Sequence, residues 1–562
     1  MTSRLLITLA LTASAGLPHA QGPAQGPSHK HYEKDERTQQ PSPSGALAPR
    51  LHNLGVHTFK VTTASADAQR FINQGVNLAY AFNHAEAARA FAEAARLDPS
   101  LAMAYWGHAL VLGPNINAPM DAADEPKARE LIEKALSLKA GASARERDYI
   151  DALAVRYTGR TDDRAKADRA FADAMKTLAA KYPDDPDART IYAEALLDLR
   201  PWNYWTPDGR PYAETVEVVT TLESVITTNP NHPGALHYWI HLWEPTDTPE
   251  RAEAEADRLL PLMPGAGHVV HMPAHIFARV GRHHDVVTSN LTAEKADEDY
   301  ITLCRAQGIY PLAYYPHNTH FVWMGATASG QHTVAKYAAD KLAAFVSGKQ
   351  DVIASLPFLQ LFAVTPLWTM LSFERWDDVL AAPAPAASMP FVRAAWRYAR
   401  TRAFTAKGRI ASAQAELARL RALVDGANFN AQSGFTANSG QAILRIGVEI
   451  AAGEIAAARR DYTRAIAHLD RAVRFEDALR YQEPSDWPHP ARVILGRVLL
   501  AAGRADEAEV VYWEDLRRNP ETGWALFGLK RALEAQGKKD DAALVDARLK
   551  KAWSRADFVL SR

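Results

Sequence analysis

The stretch "FNHAEAARAFAEAARLDPSLAMAYWGHALVLG", residues 82–113, decides the fold. Apolar residues recur here at helical spacing, with small Ala87 four positions before bulky Phe91. "RLDPS" then breaks the pattern: Pro99 cannot continue a helix, and Asp98 and Ser100 are turn residues. Trp106, Gly107 and Leu110 open a second helical pattern. The segment therefore reads as the second helix of one hairpin followed by the first helix of the next.

The same grammar extends in both directions. "TTNPNHPG" and "RRNPETG" punctuate later helical stretches, and strand-like alternation is nearly absent from residue 65 onward. In the C-terminal third, Gly503 recurs as Gly537 and Ala508 as Ala542, each 34 residues on. Small residues there suit close helix–helix approach at a hairpin turn. A period of about 34 residues in helical pairs resembles the tetratricopeptide repeat (TPR). The expectation is an all-α fold, a right-handed solenoid of TPR-like helical hairpins with irregular insertions near 201–212, 298–315 and 375–390. In such arrays the first helix of each pair lines the concave groove.

The N-terminus has another character. "MTSR" is a short basic run, "LLITLALTASAGL" an apolar stretch, and Ala13, Ala15 and Ala20 are small residues suited to cleavage. Residues 1–20 thus read as an export signal rather than a frayed helix, with a periplasmic or secreted destination. Residues 21–60, rich in Pro, Gly, Ser and charge, read as a disordered linker. The remainder divides into N-terminal repeats (61–200), histidine-rich central repeats (201–345) and C-terminal repeats (346–562). No later run is long and apolar enough to predict a transmembrane segment. A net charge of −1 over 562 residues makes no electrostatic case for nucleic acid. The single cysteine, Cys304, permits neither an internal disulfide nor a thiolate-rich metal site.

Histidines concentrate in the central repeats. "HYWIHLWE" holds His237, His241 and Glu244; "GHVVHMPAHIFARVG" holds His268, His271 and His275; "YPHNTHF" holds His317 and His320. His237 to His271 is 34 residues, and so is His241 to His275, which places the same two repeat positions on consecutive first helices. Side chains four apart on a helix share a face, and neighbouring helices lie roughly 8–10 Å apart, so these imidazoles can converge. Pro273 implies a kink or a late helix start within the second of these segments.

Imidazole with carboxylate and no thiolate suits a divalent transition metal, zinc or copper foremost. Three ligands and an open position would make a hydrolytic zinc site, whereas six imidazoles could hold two copper ions. The expected ligands are His237, His241, His271, His275, His317 and His320. Glu244 is expected as a further ligand or as the general base for a metal-bound water, and His268 as an orienting residue outside the ligand set. His84, His283, His284 and His332 begin second helices and are expected to face outward. The plainer reading of the cluster is packing histidines duplicated along with the repeat; it leaves His317, His320 and His268 without a reason.

With these residues in view, the chain resembles a family of bacterial exported tetratricopeptide proteins over about residues 66–560. The resemblance rests on "YAFNHAEAARAF", "AYWGHALVLGPNINAPM", "HYWIHLWE", "AGHVVHMPAHIFARVGR", "YYPHNTHF", "EPSDWPHPAR" and "GWALFGL". It implies the fold and a helical groove but no particular reaction. Three functions remain open: an exported metal-binding solenoid, as a hydrolytic or redox metalloenzyme or as a binder; a metal-free scaffold holding a peptide, an envelope protein or a small-molecule ligand in its concave groove; and a metal sequestration or delivery protein. Around the groove, Asn115 and Asn117 of "LGPNIN" read as turn residues or ligand contacts. Trp202, Tyr204 and Trp205 of "RPWNYW" read as a ligand platform or a corner plug, and Trp487 and His489 as a groove wall or a rigid repeat junction.

Overall fold

A computed structural model describes residues 45–159, 163–306, 310–426 and 436–560. The expected signal (1–20) and the first part of the expected linker (21–44) lie outside the described residues. Helices succeed one another as antiparallel pairs: α1 (Ala66–Tyr80) with α2 (His84–Leu97), α3 (Ala102–Val111) with α4 (Glu125–Leu138), α5 (Ala144–Ala154) with α6 (Arg164–Lys181), and α7 (Pro186–Asp198) with α8 (Ala213–Thr228). The central region follows as α9 (Pro233–Trp243), α10 (Glu253–Leu259), α11 (Gly267–His271), α12 (Pro273–Arg279), α13 (His283–Cys304), α14 (Tyr315–Ala328) and α15 (His332–Val346). Short helices cover 350–381, and four hairpins span Pro390–Ala406 to Lys539–Ala552. Among the described residues the only β-type pairings are two isolated bridges. The molecule is an all-α solenoid of helical hairpins.

Local chemistry explains the boundaries. Ser65, Ser143 and Asp185 accept hydrogen bonds from backbone N–H groups in the first turns of α1, α5 and α7, and Ser143 forms a full capping box with Glu146. Each such cap stabilises a helix start by about 1 kcal/mol. Gly503 and Gly537 differ in mechanism from the sequence reading. Both have φ of +76°, and a Cβ on either would meet nothing within 4 Å. They are glycines because the turn is left-handed, not because helices approach there. The paired alanines Ala508 and Ala542 are buried in the core.

The linker expectation is corrected over residues 45–60. This segment is an extended strap fastened by side chains rather than by a sheet: Leu47 N–H donates to Glu93 Oε2 (2.8 Å), Leu51 N–H to Gln74 Oε1 (2.9 Å) and Phe59 N–H to Asn73 Oδ1 (3.1 Å). Ala48, Leu54 and Phe59 are buried. The irregular segments are also redistributed: α13 continues to Cys304, a π-helical turn covers Tyr310–Tyr314, and residues 479–490 form a further break.

The winding brings the C-terminal hairpins back onto the central ones. Arg279 donates to the Arg518 carbonyl (3.2 Å), His283 Nε2 to that of Pro520 (2.8 Å), and Trp524 Nε1 to that of Thr327 (3.4 Å). His283 is therefore buried against the returning chain rather than facing outward. This closure places the break at 479–490 beside the histidine-bearing helices.

Candidate metal centre

Helix α9 is set by Pro233 at its first turn and by His232, whose Nδ1 accepts from Ala235 N–H (3.2 Å). All its residues are buried, so it runs through the core. His237 and His241 lie one turn apart on it. His237 Nδ1 is 2.6 Å from the Tyr80 carbonyl oxygen, and His241 Nδ1 is 2.6 Å from Glu244 Oε1. Both partners are acceptors only, so both Nδ1 atoms carry the proton and both Nε2 atoms present bare lone pairs. Those two Nε2 atoms are 3.0 Å apart.

The next repeat reproduces this arrangement with different partners. Helices α11 and α12 meet at Met272, whose backbone stays helical (φ −50°, ψ −41°), so Pro273 interrupts the bonding without turning His275 away from His271. His271 Nδ1 is 2.7 Å from Asn290 Oδ1. The Asn290 amide is oriented by its own donation to the Val286 carbonyl (2.8 Å), which leaves its oxygen for the imidazole. His275 Nδ1 lies between Glu244 Oε2 (2.5 Å) and Glu483 Oε2 (2.9 Å). Again two Nε2 atoms face one another, at 2.9 Å.

One further imidazole completes each pair. His237, His241 and His268 form one group, and His271, His275 and His317 another, with the ligand atoms of each group within 4.8 Å of one another. His268 is 2% exposed, and neither of its ring nitrogens has a hydrogen-bond partner among the described residues. It is positioned by Gly267, where a Cβ would lie 2.0 Å from Asp297 Oδ1, and by Tyr310, whose hydroxyl accepts from His268 N–H (3.2 Å) and donates to Asp297 (2.8 Å). Phe321, four residues after His317, sets its ring edge against His271 and His275 at 4.5 and 4.6 Å.

Electrostatics separate the two groups. Burial, reinforced by the neighbouring imidazoles, holds His237, His268, His271 and His317 well below the ordinary histidine range. Burial also lowers His241, against the pull of Glu244. Burial opposes a charge on His275 as well, but Glu244 and Glu483 overcome it and push its pKa up to about 10. A proton on His275 Nε2 can therefore bridge to His271. No such proton is favoured between His237 and His241.

Two other clusters of potential ligands are closed by hydrogen bonds of their own. Asp187 Oδ1 receives Tyr80 OH (2.8 Å), His57 Nε2 (2.9 Å) and His232 Nε2 (3.3 Å). Since His232 Nδ1 is an acceptor, its Nε2 carries the proton; this is a hydrogen-bond hub that seats Tyr80, whose carbonyl orients His237. The group of Glu244, His275 and Glu483 meets at the Nδ1–H of His275 and is closed by Tyr481, whose hydroxyl is 2.6 Å from Glu483 and 3.1 Å from Glu244.

The expected residues thus sort as follows. His237, His241, His271, His275 and His317 are brought together. His320 is not: it stacks on Trp323 at 5.4 Å and its ring meets Phe362 at 5.5 Å, which holds it away from the other imidazoles. His268 stands within a ligand group rather than outside it. Glu244 lies behind the imidazoles, one oxygen on each group's Nδ1–H, so it orients two histidines instead of facing an ion or a water. Tyr481 and Glu483, from the returning segment, and Asn290 were missed. Trp487 and His489 are packing residues: His489 packs on Trp368 (5.3 Å) and Trp487 donates to its carbonyl (2.8 Å). Asn115 is a turn residue, its Oδ1 accepting from Asn117 and Ala118 N–H. Tyr204 is buried and Trp205 packs on Trp243, whereas Trp202 lies against His241 at 5.2 Å.

No family model matches the chain, and no curated protein matches it. Solved structures that match include the human IFIT1 dimer with m7Gppp-AAAA (13% identity, 80% of this chain and 90% of that one, TM-score 0.32). Others are the P58(IPK) TPR domain (12%, 84% and 99%, TM-score 0.23) and yeast Tom70 (14%, 87% and 95%, TM-score 0.24). At such scores the chemistry of this site rests on its own geometry.

Proposed function

We propose that this protein is an exported metal-binding solenoid holding two divalent transition-metal ions, zinc or copper, in adjacent three-histidine sites. One observation carries the reading. In each of two successive repeats, a pair of buried imidazoles directs its two Nε2 atoms at each other at 3.0 and 2.9 Å, with the Nδ1 protons committed elsewhere, and in the first pair both Nε2 atoms are unprotonated. The two bare acceptors of the first pair repel at that distance, and a metal ion bound at roughly 2.0–2.1 Å by two imidazoles would space their nitrogens about 2.9–3.4 Å apart, between a right and a tetrahedral angle. Carboxylate, amide and carbonyl partners on the far nitrogens are what metal-bound histidines have. Thiolate is absent from both groups, which favours the imidazole-preferring ions.

Burial argues against the groove reading. His237, His241, His268, His271 and His275 are at most 4% exposed, so an extended peptide cannot lie on them. A peptide or envelope-protein partner would have to be held on another face. Export is supported by the basic and apolar N-terminal run, and no helix among the described residues is long and apolar enough to cross a membrane.

The test is elemental analysis of protein purified without an affinity tag, native and as His241→Ala, His271→Ala and the control His284→Ala. Native protein and control should hold about two ions and each ligand variant about one. Equal metal in all four, or none after reconstitution, would return these histidines to packing.

A further inference from the structure

The two sites are close enough to work as one. Ring centroids across the pair, His241–His275 and His268–His271, are 6.0 and 5.8 Å apart, inside the 4.7–6.4 Å range found within the groups. Three imidazoles per ion leave coordination positions open, as in catalytic rather than structural sites. His317 is the ligand that is only half-buried, and three residues before it stands Tyr314.

Tyr314 belongs to a small closure over the first group. Its ring meets His268 edge-on at 4.8 Å, and its hydroxyl accepts from Asn117 Nδ2 (3.3 Å). Asn117 Oδ1 in turn accepts from Trp202 Nε1 (3.1 Å), and the Trp202 ring lies edge-on to His241 at 5.2 Å. The three residues come from three separate segments, and both hydrogen bonds are exposed to solvent, where water can replace them. Trp202 is itself 43% exposed and holds a left-handed backbone (φ 58°) uncommon for a bulky residue. Asn117, by contrast, sits on a turn pinned by Asn115.

We propose that the paired groups form a single dinuclear, ligand-binding centre, entered past a gate of Trp202, Asn117 and Tyr314. Its ligand is a small molecule of two or three atoms with lone pairs at both ends, able to bridge two ions. The tight burial of the ligand histidines excludes anything larger from the inner face. The proposal rests on the metal-binding reading above and adds that the ions are accessible and shared.

The experiment uses the full chain reconstituted with Cu(II), its metal content measured first, so that failure to load metal is read against the metal-binding proposal alone. Azide is the probe, followed by its charge-transfer absorption in stopped flow. Saturable azide binding at one azide per two coppers is expected. Trp202→Ala should keep the copper content and raise the association rate by about tenfold or more. Tyr314→Phe, which keeps the ring and loses the hydroxyl, should shift the rate in the same direction. No spectral change with azide, or two independent azides per protein, would overturn the shared centre. Rates equal to native in both variants would overturn the gate.

Discussion

Replacing Asn290 by leucine tests the orientation of the imidazoles without touching a ligand. The side chains are similar in size, and Asn290 supplies the one hydrogen bond assigned to His271 Nδ1, at 2.7 Å in a fully buried setting. Two outcomes are open to the bereft ring. It can keep a buried, unpaired N–H, at about 1–3 kcal/mol, or move the proton to Nε2, where it occupies the ion's position. Both penalise metal binding at the group of His271, His275 and His317. Loss of such an outer partner typically costs about 10- to 100-fold in affinity, or ~1.4–2.7 kcal/mol. The first group should be untouched, because its orienting partners are the Tyr80 carbonyl and Glu244. Competition against a chromophoric chelator, fitted to two sites, reads both constants. Unchanged affinity at both sites would refute the tautomer reasoning. Equal weakening at both would refute the assignment of Asn290 to one of them.

Glu244→Gln should weaken both sites, since its two oxygens each hold one imidazole (2.6 and 2.5 Å); the same titration checks this, and an effect confined to one site would contradict the shared role. The second site should also be the more pH-dependent. His275, held protonated up to about 10, must release a proton to bind metal, so affinity there should fall about tenfold per pH unit on going from pH 9 to 7. The first site, with His237 and His241 held below the ordinary range, should stay nearly flat over that interval; calorimetry in buffers of different ionisation enthalpy counts the protons. Finally, His317→Ala should lose about one ion by elemental analysis while His320→Ala loses none, and loss of metal in both variants would restore the sequence-based assignment.

Much of the centre was legible because the repeat carries it. The 34-residue offsets of His237/His271 and His241/His275 reflect the same hairpin position used twice, and helical geometry places i and i+4 on one face. That rule did not separate His317 from His320, since residues three apart are neighbours too; it is Phe321, four after His317, that packs beside His271 and His275. The outer partners were not legible: Tyr80, Asn290 and Glu483 reach the imidazoles from 157, 19 and 208 residues away. Such contacts follow from how tightly the solenoid winds, which local periodicity does not encode. The strap at 45–60 escaped for a related reason. An extended segment held by Gln74, Asn73 and Glu93 side chains has no period of its own.

Anomalous diffraction from crystals of tag-free, metal-reconstituted protein, recorded on both sides of the metal's absorption edge, tests the central claim most directly. Two peaks are predicted, each about 2.0–2.2 Å from three imidazole Nε2 atoms: one among His237, His241 and His268, the other among His271, His275 and His317. An absence of anomalous signal there, or a single ion bound through Glu244 and Glu483, would contradict it.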